Sequence, residues 1–142
     1  MRRMAPGIAL SMLLVTGCTA LSTAQPQWVV NRQPLPACGE EVVERGDTDV
    51  EARQCLLDDF RAGTGGELIT TQLIGEDGQV TRYLRVHENG TIEVFIDATQ
   101  NPVGSGTWER ETCGQMLGAD EMRDVWVEEV FVILDCESQP VP

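Results

Sequence analysis

The clearest element in the pattern of apolar and polar residues is one amphipathic helix. Apolar residues recur there at helical spacing and form a single stripe: Ala52, Cys55, Leu56 and Phe60. Thr48 followed by Glu51 fits a capping box at the start, and Gly63 is typical of a helix C-terminus. We therefore expect a helix that begins near Thr48, ends before Gly63 and carries a cysteine on its buried side.

Alternation of apolar and polar residues predicts a set of antiparallel strands after the helix. Three such segments follow one another with short turns between them: 68–74, 80–87 and 91–97. Asn89-Gly90, between the last two, is a strong hairpin signal. Trp108 and its neighbours predict a fourth strand and 125–134 a fifth, with a short helical turn in 114–124. The predicted fold class is α+β, with one helix packed on a four- to five-stranded antiparallel sheet, a meander.

The chain begins with a different pattern, a charged start followed by an apolar run. Arg2 and Arg3 precede the mostly apolar segment 4–15, which ends in small residues. This order is typical of a secretory signal, and the run is shorter than the ~20 apolar residues that span a bilayer. A hydrophobic N-terminal helix of the fold is the competing interpretation, which the interruption by Pro6-Gly7 disfavours.

The end of the apolar run resembles the lipobox of bacterial prolipoproteins. Val15-Thr16-Gly17-Cys18 places small residues before a cysteine, with Val15 where leucine is commonest. The resemblance implies cleavage before Cys18 and attachment of diacylglycerol to its sulfur, and two or more acyl chains anchor a protein stably. It also implies an extracytoplasmic location on the cell membrane, or on the outer membrane of a two-membrane envelope. The alternative is that Cys18 is one more thiol of a secreted protein.

The count of five cysteines supports the lipid anchor. Once Cys18 is assigned to it, an even number remains that an exported protein can pair as disulfides: Cys38, Cys55, Cys113 and Cys136. Three pairings are possible, and the short loops favour Cys38–Cys55 and Cys113–Cys136. A metal site of four cysteines is the alternative, although neither pair has the close spacing of a zinc ribbon.

The chain divides into four predicted parts. Residues 1–17 form a signal peptide, 18–37 a lipidated cysteine and flexible tether, 38–136 the globular α+β domain, and 137–142 a tail. The tether is rich in Ser, Thr, Gln and Pro, and the apolar segment 28–30 interrupts it. Two interpretations of that segment stay open: it is either an edge strand docked on the domain or simply an apolar part of the tether.

Composition narrows the classes of function. The chain has 142 residues and a formal net charge of −13, and all ten of its basic residues are arginine. Such an acidic chain is not expected to bind nucleic acid, because phosphate binding needs a basic surface. His87 has no recognisable nucleophile and orienting acid around it, so we expect neither an enzyme nor a cofactor. Most carboxylates are expected to be solvated surface charge.

The segment 94–104 resembles part of a family of small bacterial lipoproteins of unknown function. The shared pattern is a Phe95-x-Asp97-x-Thr99 core, a glycine five residues later, then an aromatic residue and a cysteine, whereas the turn at 75–78 departs from it. The resemblance implies a fold and no activity. Asp97, Thr99 and Asn101 also offer alternating oxygen donors for a weak cation site, or simply bonds within a turn.

These patterns predict a lipid-anchored interaction or structural module of the bacterial cell envelope. Its expected partners are membrane lipid, through Cys18, and an unidentified envelope protein. The alternative is a carrier of a small ligand or cation, with a pocket between helix and sheet lined partly by Asp97 and Trp108.

Overall fold

The structure, a computed structural model, describes residues 25–122 and 129–142. The elements in chain order are α1 (Gln27–Val30), β1 (Ala37–Val43), α2 (Val50–Ala62), β2 (Gly66–Ile74), β3 (Gly78–Val86), β4 (Ile92–Asp97), β5 (Trp108–Gly118) and β6 (Phe131–Gln139). The strands form one six-stranded sheet in which spatial order follows chain order. The predicted signal, Cys18 and part of the predicted fifth strand lie outside the described residues.

The sheet confirms the α+β class and corrects its details. It has six strands rather than four or five, and it is mixed, because β1 runs parallel to β2 while the other neighbours are antiparallel. The unexpected strand is β1, whose only adjacent large apolar residues, Val42 and Val43, show no alternation. Its inward position is filled instead by Glu41, which is 6% exposed and forms an ion pair with Arg53.

Helix α2 is the crossover that a parallel strand pair needs. It begins one residue later than predicted: Asp49, not Thr48, is the N-cap, and its side chain accepts a hydrogen bond from the Ala52 N–H at 3.0 Å. Gly63 ends the helix in the left-handed conformation at a φ of 65°. The helix buries one face against the sheet, including Leu56 and Leu57.

The main core lies between α2 and one face of the sheet. Its strand residues alternate as predicted: Leu68, Val80, Leu84, Val86, Ile92, Val94 and Ile96. Both predicted disulfides are present: Cys38–Cys55 joins β1 to α2, and Cys113–Cys136 joins facing residues of β5 and β6. The bonds therefore fasten each edge strand of the sheet to its neighbouring element.

The C-terminal third differs from the sequence prediction. Strand β5 continues to Gly118, so the helical turn expected in 114–124 is absent from 114–118, where the chain is extended. The last strand lies later than expected and takes in 137–139, which the pattern assigns to a tail. The physical reason is that β6 is an edge strand whose second half is exposed and polar, so its sequence shows no alternation.

The segment before β1 packs on the sheet and is not a loose tether. The single turn α1 lies on the face away from α2, where Val29 is fully buried beside Tyr83 and Phe95. The Trp28 and Phe95 rings meet edge to face with centroids 5.0 Å apart. Of the predicted tether 18–37, residues 25–37 therefore belong to the domain, and the apolar segment 28–30 forms a helical turn rather than an edge strand. Within 25–122 and 129–142, no helix is long and apolar enough to cross a membrane.

Candidate functional site

The face of the sheet away from α2 carries a network of paired charges. Strand register places Glu67, Arg85 and Glu93 side by side on β2, β3 and β4. Arg32, which follows α1, and Arg110 on β5 bond to the two carboxylates from either side. We call these five residues the charge network. Their side chains share one face because alternate residues of a strand point the same way.

Arg85 is the centre of the charge network. Its side chain is 2% exposed, and all three of its nitrogens donate hydrogen bonds. Nε bonds Glu67 Oε2 at 2.9 Å, and Nη1 bonds Glu93 Oε2 at 3.3 Å. Nη2 bonds the main-chain carbonyl of Gln33, which ties the N-terminal segment to the sheet. A buried guanidinium is tolerated here because each of its three nitrogens has an acceptor.

Arg32 joins the N-terminal segment to the sheet a second time. Its Nε and Nη2 donate to the two oxygens of Glu67 at 2.9 and 2.8 Å, a two-pronged ion pair. Its Nη1 donates to the carbonyl of Val29 at 3.0 Å. The guanidinium also lies 4.8 Å from the centre of the Tyr83 ring. The segment around α1 is thus held by both apolar packing and ion pairing.

Glu93 is the most heavily bonded carboxylate of the charge network. Its Oε2 is bonded to Arg85 and lies 2.7 Å from His87 Nε2, and its Oε1 accepts from Arg110 Nη2 at 2.7 Å. Burial alone would raise the pKa of Glu93, but the hydrogen bonds from Arg110 and His87 outweigh it and hold the pKa below 4.5. Burial opposes Arg32 and Arg85 in the same way at Glu67, whose pKa is also lowered.

These lowered pKa values predict a dependence of stability on acid. A carboxyl group whose pKa is lower in the folded state adds stability above its ordinary pKa of 4.5, and this stability is lost as the pH falls through the folded value. We expect the urea concentration at the unfolding midpoint to decrease as the pH is lowered from 5 to 3. Glu93→Gln should make this dependence of the midpoint on pH less steep. Glu88→Gln, in the exposed turn next to the network, should keep the wild-type slope. Identical slopes for Glu93→Gln and wild type would contradict the role of the network.

An open pocket of about 380 Å³ lies over the charge network. Its lining combines network charges, neighbouring polar side chains, two aromatic rings and a proline: Arg32, Arg85, Glu93, Arg110, Gln33, His87, Asn89, Thr91, Trp28, Phe95 and Pro142. The volume is at the lower end of the ~300–1,000 Å³ typical of small-molecule sites. Beside it lies a larger and mainly apolar groove of about 690 Å³, lined in part by Trp28 and Trp108.

The charge network is opposite in sign to the chain as a whole. Three guanidinium groups face two carboxylates in the charge network, an excess of one positive charge in a chain of net charge −13. Among the described residues, Arg110 Nε is buried without a hydrogen-bond partner. The site therefore has spare donor capacity and a preference for negative charge.

The structure places the cation and carrier candidates of the sequence elsewhere. Asp97 Oδ1 accepts from the main-chain N–H and the hydroxyl of Thr99 at 3.1 and 2.6 Å, and Asn101 caps the N–H of Val103. These are the turn bonds considered as the simpler explanation. Asp97 and Trp108 face each other across β4 and β5, away from α2, so they do not line a pocket under the helix.

The four cysteines that the structure describes form disulfides rather than a metal site. Within the described ranges, two groups could hold an ion by proximity, one with Cys38 and Cys55 and one with Cys113 and Cys136. In both groups the sulfurs are bonded to each other. Thiolate, the form that binds metal, is therefore not present at these positions.

The charge network has only a faint signal in the sequence. Glu67, Arg85 and Glu93 each occupy the polar position of an alternating strand, which sequence analysis assigns to solvated charge. In the structure the side chains of Glu67 and Glu93 are largely buried, with 13% and 15% of their surface exposed. Opposite charges at facing positions are the signal that could have shown this, but only once the register is known.

Comparison with known proteins gives no family assignment. No protein-family model, curated protein or solved structure matches the chain. The pocket and the charge network are therefore the features from which function follows.

Proposed function

We propose that the chain is a lipid-anchored, extracytoplasmic binding module of the bacterial cell envelope. The observation that carries the binding role is the open pocket over the charge network, which gathers positive charge within an acidic chain. The two disulfides agree with an oxidising compartment outside the cytoplasm.

The state of the site favours binding over acid–base catalysis. A general acid or base works best when its pKa lies near the working pH. The pKa values of Glu67 and Glu93 are instead lowered, so both carboxylates stay ionised at neutral pH. Ion pairs hold their side chains in place, which is what a preorganised recognition surface requires.

The size and shape of the two depressions favour a small molecule as the bound species. The lining of the pocket over the charge network combines polar and aromatic side chains, as small-ligand sites do. The apolar groove lined by Trp28 and Trp108 is the place where an envelope protein would contact the module, because aromatic residues are enriched at interfaces.

The proposed anchor would keep the module close to the lipid surface. Cys18 precedes Gln25, the first described residue, by seven positions. An extended chain covers at most ~3.6 Å per residue, or about 25 Å over that distance. The pocket would then sample the few nanometres above the membrane.

We expect Cys18→Ser to release the protein from the membrane fraction and to abolish incorporation of labelled fatty acid. The reason is that serine lacks the sulfur to which the diacylglycerol would be attached. Ser22→Ala, four residues away, should fractionate and label as the wild type does. The measurement is metabolic labelling followed by membrane fractionation. Continued labelling of Cys18→Ser would rule out the anchor.

A further inference from the structure

We infer that the pocket binds a small monocarboxylate with an apolar or aromatic group, and that Arg110 receives the carboxylate. This inference rests on the proposed binding function and names its ligand class. Three features of the pocket support it: the unused donor of Arg110, the excess of one positive charge, and the aromatic wall.

Arg110 has more unused hydrogen-bonding capacity than Arg32 and Arg85. Arg32 and Arg85 donate from every nitrogen to protein acceptors. Within the described chain, Arg110 bonds only Glu93, through Nη2, and its buried Nε has no acceptor. The Nε is too buried to meet a ligand, whereas Nη1, which has no acceptor among the described residues, is open to an incoming one. With 33% of its side chain exposed, Arg110 is also the most accessible arginine of the charge network.

The charge balance favours a singly charged anion. The excess of one positive charge over the carboxylates of the charge network is neutralised by one carboxylate. A phosphate monoester carries about −1.5 to −2 at neutral pH, so the repulsion from Glu93 beside Arg110 would be stronger for it than for a carboxylate. The planar guanidinium also matches the planar carboxylate. Carboxylate is therefore favoured over phosphate.

The aromatic residues of the pocket lining favour an apolar or aromatic group on the ligand. Trp28 and Phe95 line the same pocket as Arg110, and the Arg110 guanidinium lies 5.9 Å from the centre of the Phe95 ring. Asn89 and Thr91, in the loop between β3 and β4, add polar side chains to the lining. A ligand that places its carboxylate on Arg110 can rest an apolar group on Trp28.

The test is calorimetric titration of the full-length lipidated protein in nonionic detergent. The probes are sodium benzoate, sodium acetate, neutral benzamide, inorganic phosphate, calcium chloride and N-acetylglucosamine. We expect saturable binding of benzoate, weaker binding of acetate, which lacks the ring, and binding of phosphate and benzamide at least about tenfold weaker than that of benzoate. Benzamide binding as tight as that of benzoate overturns the inference without any variant.

Two variants locate the binding site. Arg110→Gln should weaken benzoate binding by about tenfold or more, because it removes the positive charge and the planar guanidinium that can donate two hydrogen bonds to a carboxylate. Arg82→Gln removes the same charge from the other face of β3 and should leave binding unchanged. Equal affinity of Arg110→Gln and wild type, at comparable thermal midpoints, overturns the inference.

The probes also separate this inference from the proposed function. Saturable binding of phosphate, calcium or the sugar, without any binding of carboxylates, overturns the carboxylate assignment and leaves a binding module in place. Absence of binding for all six probes overturns the inference and counts against a small-ligand pocket. The lipid anchor is tested independently by Cys18→Ser.

Discussion

Arg85→Met is expected to lower the free energy of unfolding by about 3–5 kcal/mol, the usual cost of removing one partner from a buried ion pair. Arg85 is 2% exposed and bonds Glu67, Glu93 and the carbonyl of Gln33. Methionine keeps the length of the side chain but leaves both carboxylates short of a donor. The loss therefore measures uncompensated buried charge rather than lost volume.

Urea unfolding followed by tryptophan fluorescence measures this effect. The matched control is Arg82→Met on the same strand, whose side chain bonds exposed Gln72 on the other face, where changes of about 0.5 kcal/mol are usual. Arg85→Lys keeps the charge and loses the three-way bonding, so its midpoint should fall between those of wild type and Arg85→Met. A loss below about 1 kcal/mol for Arg85→Met would show that water or rearranged neighbours already satisfy Glu67 and Glu93.

Removing both disulfides is expected to bring the domain close to unfolding. The bonds close loops with sequence separations of 17 and 23, and chain entropy assigns each a contribution of roughly 3 kcal/mol. The bonds lie at opposite edges of the sheet, so their contributions should add to about 6 kcal/mol. Small domains have total stabilities of about 5–15 kcal/mol, and the reduced protein should therefore melt far below the oxidised one.

Paired alanine variants separate the two contributions. Cys38→Ala with Cys55→Ala, and Cys113→Ala with Cys136→Ala, should each lower the urea midpoint by a similar amount because the two loops are of similar length. Non-reducing mass analysis of the wild type should find none of these four cysteines as a free thiol. Four free thiols, or a melting temperature unchanged by reductant, would contradict the stabilising role.

The central strands could be predicted because their two faces differ in the sequence. Leu84 and Val86 alternate with polar residues on one strand, and Ile92 and Val94 do so on the next. The observed register puts all four on the α2 side, with Val86 opposite Ile92, and a slip of one residue would turn the apolar residues of one strand to the other face. That register leaves a loop of 87–91 around Asn89-Gly90. Local turn chemistry and the apolar pattern thus agree on the hairpin.

The edge strand, the N-terminal turn and the site could not be predicted, since each depends on a partner distant in sequence. Glu41 is a core position of β1 only because Arg53 of α2 neutralises it. Trp28 and Val29 fold into a turn only because an apolar patch on β3 and β4 receives them. The charge network likewise needs the register of neighbouring strands before its charges meet. Polar residues buried by pairing look in a sequence like polar residues on a surface.

The double attachment of the N-terminal segment has a mechanical consequence. Val29 and the Arg32–Glu67 ion pair form a seam between this segment and the sheet, and they lie on the side of the chain where the proposed lipid would pull. A tensile load from the membrane would reach this seam before it reached the sheet. Trp28 and Arg32 belong to the seam and also line the pocket, together with Thr91 and Arg110 from the sheet. A ligand that contacts both groups would therefore stabilise the attachment of the segment to the sheet, and detachment of the segment would release the ligand.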